Sequence, residues 1–117
     1  MEVFRHHLYE YSKGLRNLIL HTTSLEDRNE IVECLEERGI DYVIYPVGSR
    51  NINVFFGSPV CIEVVKKINK RNLVDYSNEE DFILGVMLGY DRLLQCRRYL
   101  GCREALRSGR EVPVRSA

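Results

Sequence analysis

Apart from the charged residues, the side chains of this 117-residue chain best suited to ligate ions or move protons are three histidines (His6, His7, His21), four cysteines (Cys34, Cys61, Cys96, Cys102), and the hydroxyls grouped in "HTTS" and "GSPVC". His21, Thr22, Thr23 and Ser24 stand where a β-rich apolar run gives way to a helical pattern, and Gly57, Ser58 and Cys61 stand at a second junction of that kind. A helix start presents unpaired backbone N–H groups and the positive end of the helix dipole, so hydroxyls placed there suit an anion or a carboxylate. If the two strands leading into these helices are parallel neighbours, both junctions share one sheet edge. The candidate ligand-binding set is then His6, His21, Thr22, Ser24, Gly57, Ser58 and Cys61.

His6 enters that set through an expected hairpin. With a two-residue turn at Lys13-Gly14, facing positions sum to 27 and His6 lies opposite His21; a bulged three-residue turn faces His6 towards Leu20 instead. His7 alternates to the other face of the strand, beside Tyr9 and Tyr11, in a structural role. Zinc would need a fourth ligand beyond His6, His21 and Cys61, and Cys61 shares a helical stripe with Val64, Val65 and Ile68, which reads as core. The helix dipole would lower the Cys61 thiol pKa while burial opposes it. No catalytic residue, metal ligand or cofactor signature is assigned. The same hydroxyls can equally serve only to cap their own helices.

The elements that must position these residues follow from period and punctuation. Val3–Tyr11 and Leu15–Thr22, flanking "SKG", read as a hairpin of strands A and B, with Gly14 supplying a positive φ. Ser24 caps a helix ending at Arg38, with Leu25, Ile31, Val32 and Leu35 inward and Gly39 as its stop. "GIDYVIYPV" and "INVFFG" are strands C and D around the turn "GSRN". Ser58 and Pro59 then open a helix to about Lys70. "NLVDY" reads as a short edge strand, and Ser77 with Glu80 as the capping box of a long helix through Leu100, extending towards Ser108 with Gly109 as its stop.

This order predicts an α+β fold, a ferredoxin-like-related ββαββαα sandwich with a four-stranded mixed sheet in the order A-B-D-C, B and D being parallel. Strands C and D are apolar on both sides, so each sheet face needs a cover. The long helix can supply one through the broad stripe Phe82, Ile83, Val86, Met87, Tyr90, Leu93 and Leu94, leaving Leu84 and Leu88 as a narrower second stripe for a partner chain. Gly85 and Gly89 would let another backbone approach. A homodimer is expected from this apolar excess.

Bulk numbers limit the function classes. At 44% hydrophobic, the chain suffices for one domain, expected as a body over 1–100 and a basic tail over 101–117. Net charge is zero, but Met1–Cys96 holds 11 basic against 15 acidic residues, while Arg97–Ala117 holds six arginines against two glutamates. Those arginines (97, 98, 103, 107, 110, 115) are expected to dock on the acidic first helix within or between subunits rather than on nucleic acid, because aromatic interleaving is absent apart from Tyr99. The cysteines lack C-x-x-C spacing and no signal peptide precedes them, which points to reduced thiols in a cytoplasm. "FILGVMLGY" is about half the ~20 residues a membrane span needs.

The strings "FRHHLYEYSKGLRNLIL", "GIDYVIYPV" and "NINVFFG" resemble an uncharacterised family of small bacterial proteins known as a domain of unknown function. The resemblance covers about residues 3–100 and implies a cytoplasmic bacterial α+β protein with a link to flavodoxin. It transfers no functional residue. The expected function is a non-enzymatic protein-binding or regulatory module, with an anion-, small-ligand- or metal-binding protein as the alternative.

Overall fold

The computed structural model describes residues 1–109. Its first element overturns the expected hairpin. Glu2–Ser12 is a helix, α1, because Met1, Phe4, Leu8 and Tyr11 recur at helical spacing and all four pack against one cluster on the sheet. Gly14 does adopt a positive φ, +76°, but as the residue closing a helix: its N–H donates to the Tyr11 carbonyl and that of Leu15 to the Glu10 carbonyl. That is a Schellman stop, for which the same glycine is as well suited as for a hairpin.

Leu18–Ser24 forms β1, and a 3₁₀ turn over Leu25–Asp27 leads into α2, Arg28–Glu37. Ser24 Oγ accepts from the Glu26 N–H, and Gly39 takes the positive φ expected of a stop. Leu25, expected to face inward, is exposed on the 3₁₀ turn. Asp41–Val47 (β2) and Asn51–Gly57 (β3) flank the expected turn, and α3 spans Pro59–Ile68. "NLVDY" contributes a 3₁₀ turn over Leu73–Asp75 rather than a strand. The Ser77–Glu80 capping box is present and starts α4, Asn78–Met87.

Among the described residues the sheet has three strands in the order β1-β3-β2, antiparallel throughout. The neighbours B-D-C were expected, but a parallel B and D was not. The physical reason lies in the connections. The α2 crossover joins β1 to β2 and leaves those two running the same way, and the tight turn at 48–50 then reverses the chain, so β3 must run against both. With α1 helical, the fourth strand is lost and the ββαββαα order becomes αβαββααα.

Both sheet faces are buried, as the apolar strands require. Ile19, Ile52, Val54 and Phe56 meet Phe4 and Leu8 of α1 and Ile31 and Leu35 of α2. Leu18, Leu20 and Phe55 on the opposite face meet Ile62 and Val65 of α3 and Leu84 and Leu88 of α4. The narrower stripe of the expected long helix is therefore the one that packs. Leu84 and Leu88 are 0% and 1% exposed, whereas Ile83, Val86, Tyr90, Leu93 and Leu94 of the broad stripe face outward.

That helix is also two helices. Gly89 has φ +80°, its N–H donates to the Val86 carbonyl, and the Tyr90 N–H donates to the Gly85 carbonyl, so α4 also ends in a Schellman stop. Gly89 is thus the residue that closes the helix. Asp91 Oδ1 accepts from the Leu94 N–H and restarts the chain as α5, Arg92–Ser108, which runs back along α4. Gly109 follows as its expected stop, with a positive φ. The helix runs continuously across residues 100 and 101.

Candidate functional site

The antiparallel register separates the two helix starts that were expected to meet. Gly57 pairs with Leu18 and Ser24 with Asn51, at opposite ends of seven-residue strands. Six steps at ~3.3 Å put the two junctions about 20 Å apart along the sheet. Ser58 and Cys61 therefore lie towards the opposite end of the sheet from Thr22 and Ser24, with His21 midway along β1. The hydroxyls of the first set have partners within the fold: Thr22 Oγ1 donates to Asn53 Oδ1, Thr23 Oγ1 donates to Asp27 Oδ2 at 2.6 Å, and Ser24 caps its turn. Ser58 is the N-cap residue of α3 without a side-chain cap bond. Cys61 packs against the Leu18–Phe55 cluster, where burial pushes its thiol pKa up. Among the described residues no three His, Cys, Asp or Glu side chains gather closely enough to hold a metal ion, and no helix is long and apolar enough to cross a membrane.

The histidine that reaches His21 is His7. Their rings meet edge to face with centroids 5.4 Å apart, and Phe4, three residues before His7 on α1, tilts against His21 at 5.8 Å. His21 is 8% exposed and pairs with Val54 across β1 and β3. His6 projects outward on the exposed side of α1, 3.6 Å from Glu10. Helical spacing carries the signal that exposes this reversal: the stripe Met1, Phe4, Leu8, Tyr11 brings His7 to the sheet side and turns His6 away. Burial lowers the pKa of both His7 and His21 below the ordinary imidazole value. For His7, Glu10 partly opposes that shift and Arg16 and His6 add to it. For His21, the neighbouring His7 and the N-terminal ammonium add to it and Asp27 opposes.

The second feature is the α4–α5 hairpin. Arg98 grips Asp81 through two nitrogens, at 2.8 and 3.3 Å, while Glu79 accepts from both the Tyr99 hydroxyl and Arg103. Of the arginines expected to dock on α2, Arg98 and Arg103 instead serve the acidic first turn of α4, and Arg110 and Arg115 lie outside the described residues. The acidic stripe Glu26, Glu30, Glu33, Glu37 stays exposed. With α5 resting on α4, Leu93, Leu94 and Leu100 are left 66%, 57% and 63% exposed, among the exposed Arg92, Arg97 and Arg107. Residues 2–102 match the family described as Protein of unknown function (DUF2023). The chain belongs to this family. No curated protein matches it in sequence. The DUF2023 match ends inside α5, so most of the hairpin lies within it.

One further polar group stands out in this DUF2023 chain. The Tyr76 hydroxyl is buried without a hydrogen-bond partner, and its pKa is pushed up to about 12 by burial, with Tyr45 and Glu80 adding to the shift. Glu80, which closes the capping box, also pairs with Lys70 and so ties α4 to the segment after α3.

Proposed function

We propose that this DUF2023 protein is a non-enzymatic protein-binding module that docks an acidic partner on the outer face of the α4–α5 hairpin. The observation that carries this reading is α5 itself: its extended contact among the described residues is with α4, and its outer face sets three exposed leucines among arginines. Apolar anchors supply affinity and the arginine rim supplies orientation and encounter rate towards a negative surface. The first partner to test is flavodoxin, which the family resemblance implies, in a bacterial cytoplasm.

Titration of purified flavodoxin into the protein, followed by calorimetry, tests this. Saturable binding is expected, weakening at higher salt, and the double variant Leu93→Glu, Leu100→Glu should lose at least tenfold in affinity while keeping its Tm, because both side chains are already in water. Absence of saturable binding, or binding that the double variant leaves intact, overturns the reading. Light scattering on the same samples reads the homodimer. The surface supporting self-association is a shallow groove of about 540 Å³ along α3 and α4, lined by the apolar Val60, Val64, Ile68 and Ile83 together with Glu63, Lys67 and Glu80. A monomeric mass at high concentration removes that part of the proposal.

A further inference from the structure

The histidine doublet of the N-terminal segment has a role that the hairpin reading does not absorb. We propose that His7 and His21 form a proton-operated latch that holds α1 against the sheet at neutral pH and releases it on acidification. The two rings are in contact across the joint between α1 and β1, walled by Phe4, so protonating both imidazoles sets two like charges against each other across that joint. His7 Nδ1 is buried and makes no hydrogen bond, its nearest acid, Glu10 Oε1, being 3.5 Å away. Glu10 is a shared counter-ion, the same oxygen lying 3.6 Å from His6 and 3.7 Å from Arg16. Around His21 the N-terminal ammonium and Asp27 act in opposite senses, and Asp27 is already hydrogen-bonded to Thr23. Two charged rings in contact, with their nearby acids shared, favour a state in which α1 has lifted away.

The sign follows from linkage. A histidine whose closed-state pKa lies below that of the open chain takes up its proton more readily in the open state, so closure is fully favoured above the open-state pKa of ~6.5 and is lost as pH falls towards the closed-state values. With two protons taken up, the open population rises by up to about 100-fold per pH unit within that window. Opening uncovers Ile19, Val54 and Phe56, which Phe4 and Leu8 cover in the closed state.

Amide hydrogen exchange between pH 7.5 and 5, corrected for the intrinsic pH dependence of exchange, reads the latch directly. Protection of the α1 amides should fall below pH 6.5 while α2 and α3 keep theirs; no change in α1, or parallel loss in all three helices, overturns the proposal. Ring-proton NMR of the wild-type chain supplies a readout independent of any variant: both His7 and His21 should titrate below 6.5, and either one titrating at or above it refutes the latch. His7→Gln should reduce the slope of α1 opening to about tenfold per pH unit, and His6→Gln should leave it unchanged. A His7→Gln chain with the full wild-type slope is equally fatal to the proposal.

Discussion

Replacing Gly57 by alanine tests the antiparallel register at its tightest point. Gly57 ends β3 opposite Leu18, with φ +148°, and a Cβ built there would lie 2.2 Å from the Asn17 carbonyl oxygen. Both partners are backbone, so no side chain can swing away. The Asn17 carbonyl also accepts the Ser58 N–H at 2.9 Å, which couples the β1 start to the α3 start. Strain at a glycine-only conformation costs about 1–3 kcal/mol, displacement of packed backbone a further ~1–3, and loss of that hydrogen bond about 1. A destabilisation of about 3–7 kcal/mol is expected, against a typical total of about 5–15 for a domain. Urea denaturation followed by circular dichroism measures it, with Gly39→Ala as the control. Gly39 also has a positive φ, but a Cβ there meets nothing within 4 Å, so only the conformational cost of about 1 kcal/mol applies. If the two variants lie within 1 kcal/mol of each other, the close approach of β3 to Asn17 is wrong, and with it the placement of the two helix starts at opposite ends of the sheet.

Two further outcomes follow from burial. Under a thiol reagent in the native state, exposed Cys96 should react first, while Cys61 lags despite its position in the first turn of α3 and Cys102 is protected; faster labelling of Cys61 than of Cys96 would show that the helix dipole outweighs burial. Tyr76 should remain protonated in an ultraviolet titration to pH 11, when ordinary tyrosines have ionised. Its raised pKa favours the folded state below pH 10, a contribution lost as pH rises from about 10 to about 12, so alkaline unfolding should recede in Tyr76→Phe.

Local chemistry was legible wherever a short stretch decides the outcome. The Ser77–Glu80 capping box, Pro59 at the start of α3, Gly39 and Gly109 as helix stops and the turn between β2 and β3 were all read from residue type and spacing, because each depends on a few neighbouring φ/ψ values and hydrogen bonds. The failures share a different cause. "VFRHHLYEY" is rich in β-formers, and the burial of Phe4 and Leu8 against Phe56 overrides that propensity. Gly14 and Gly89 supply positive φ in either a turn or a Schellman stop, and sequence alone does not choose between them.

The sequence by itself determined the α+β class, the apolar character of both sheet faces, and the strand neighbours B, D and C. Tertiary structure alone decided which stripe of the helical segment after Ser77 is buried, since Leu84 and Leu88 are fewer than the exposed apolar residues around them yet fit the space beside Leu18, Leu20 and Phe55. It also decided which histidine meets His21. The period of α1 turns His7 inward and His6 outward, and the reversal of β3 carries Ser58 and Cys61 to the far end of the sheet. A site assembled from separate elements depends on the direction of every strand between them, and that direction is set by the whole chain's connections rather than by the residues that form the site.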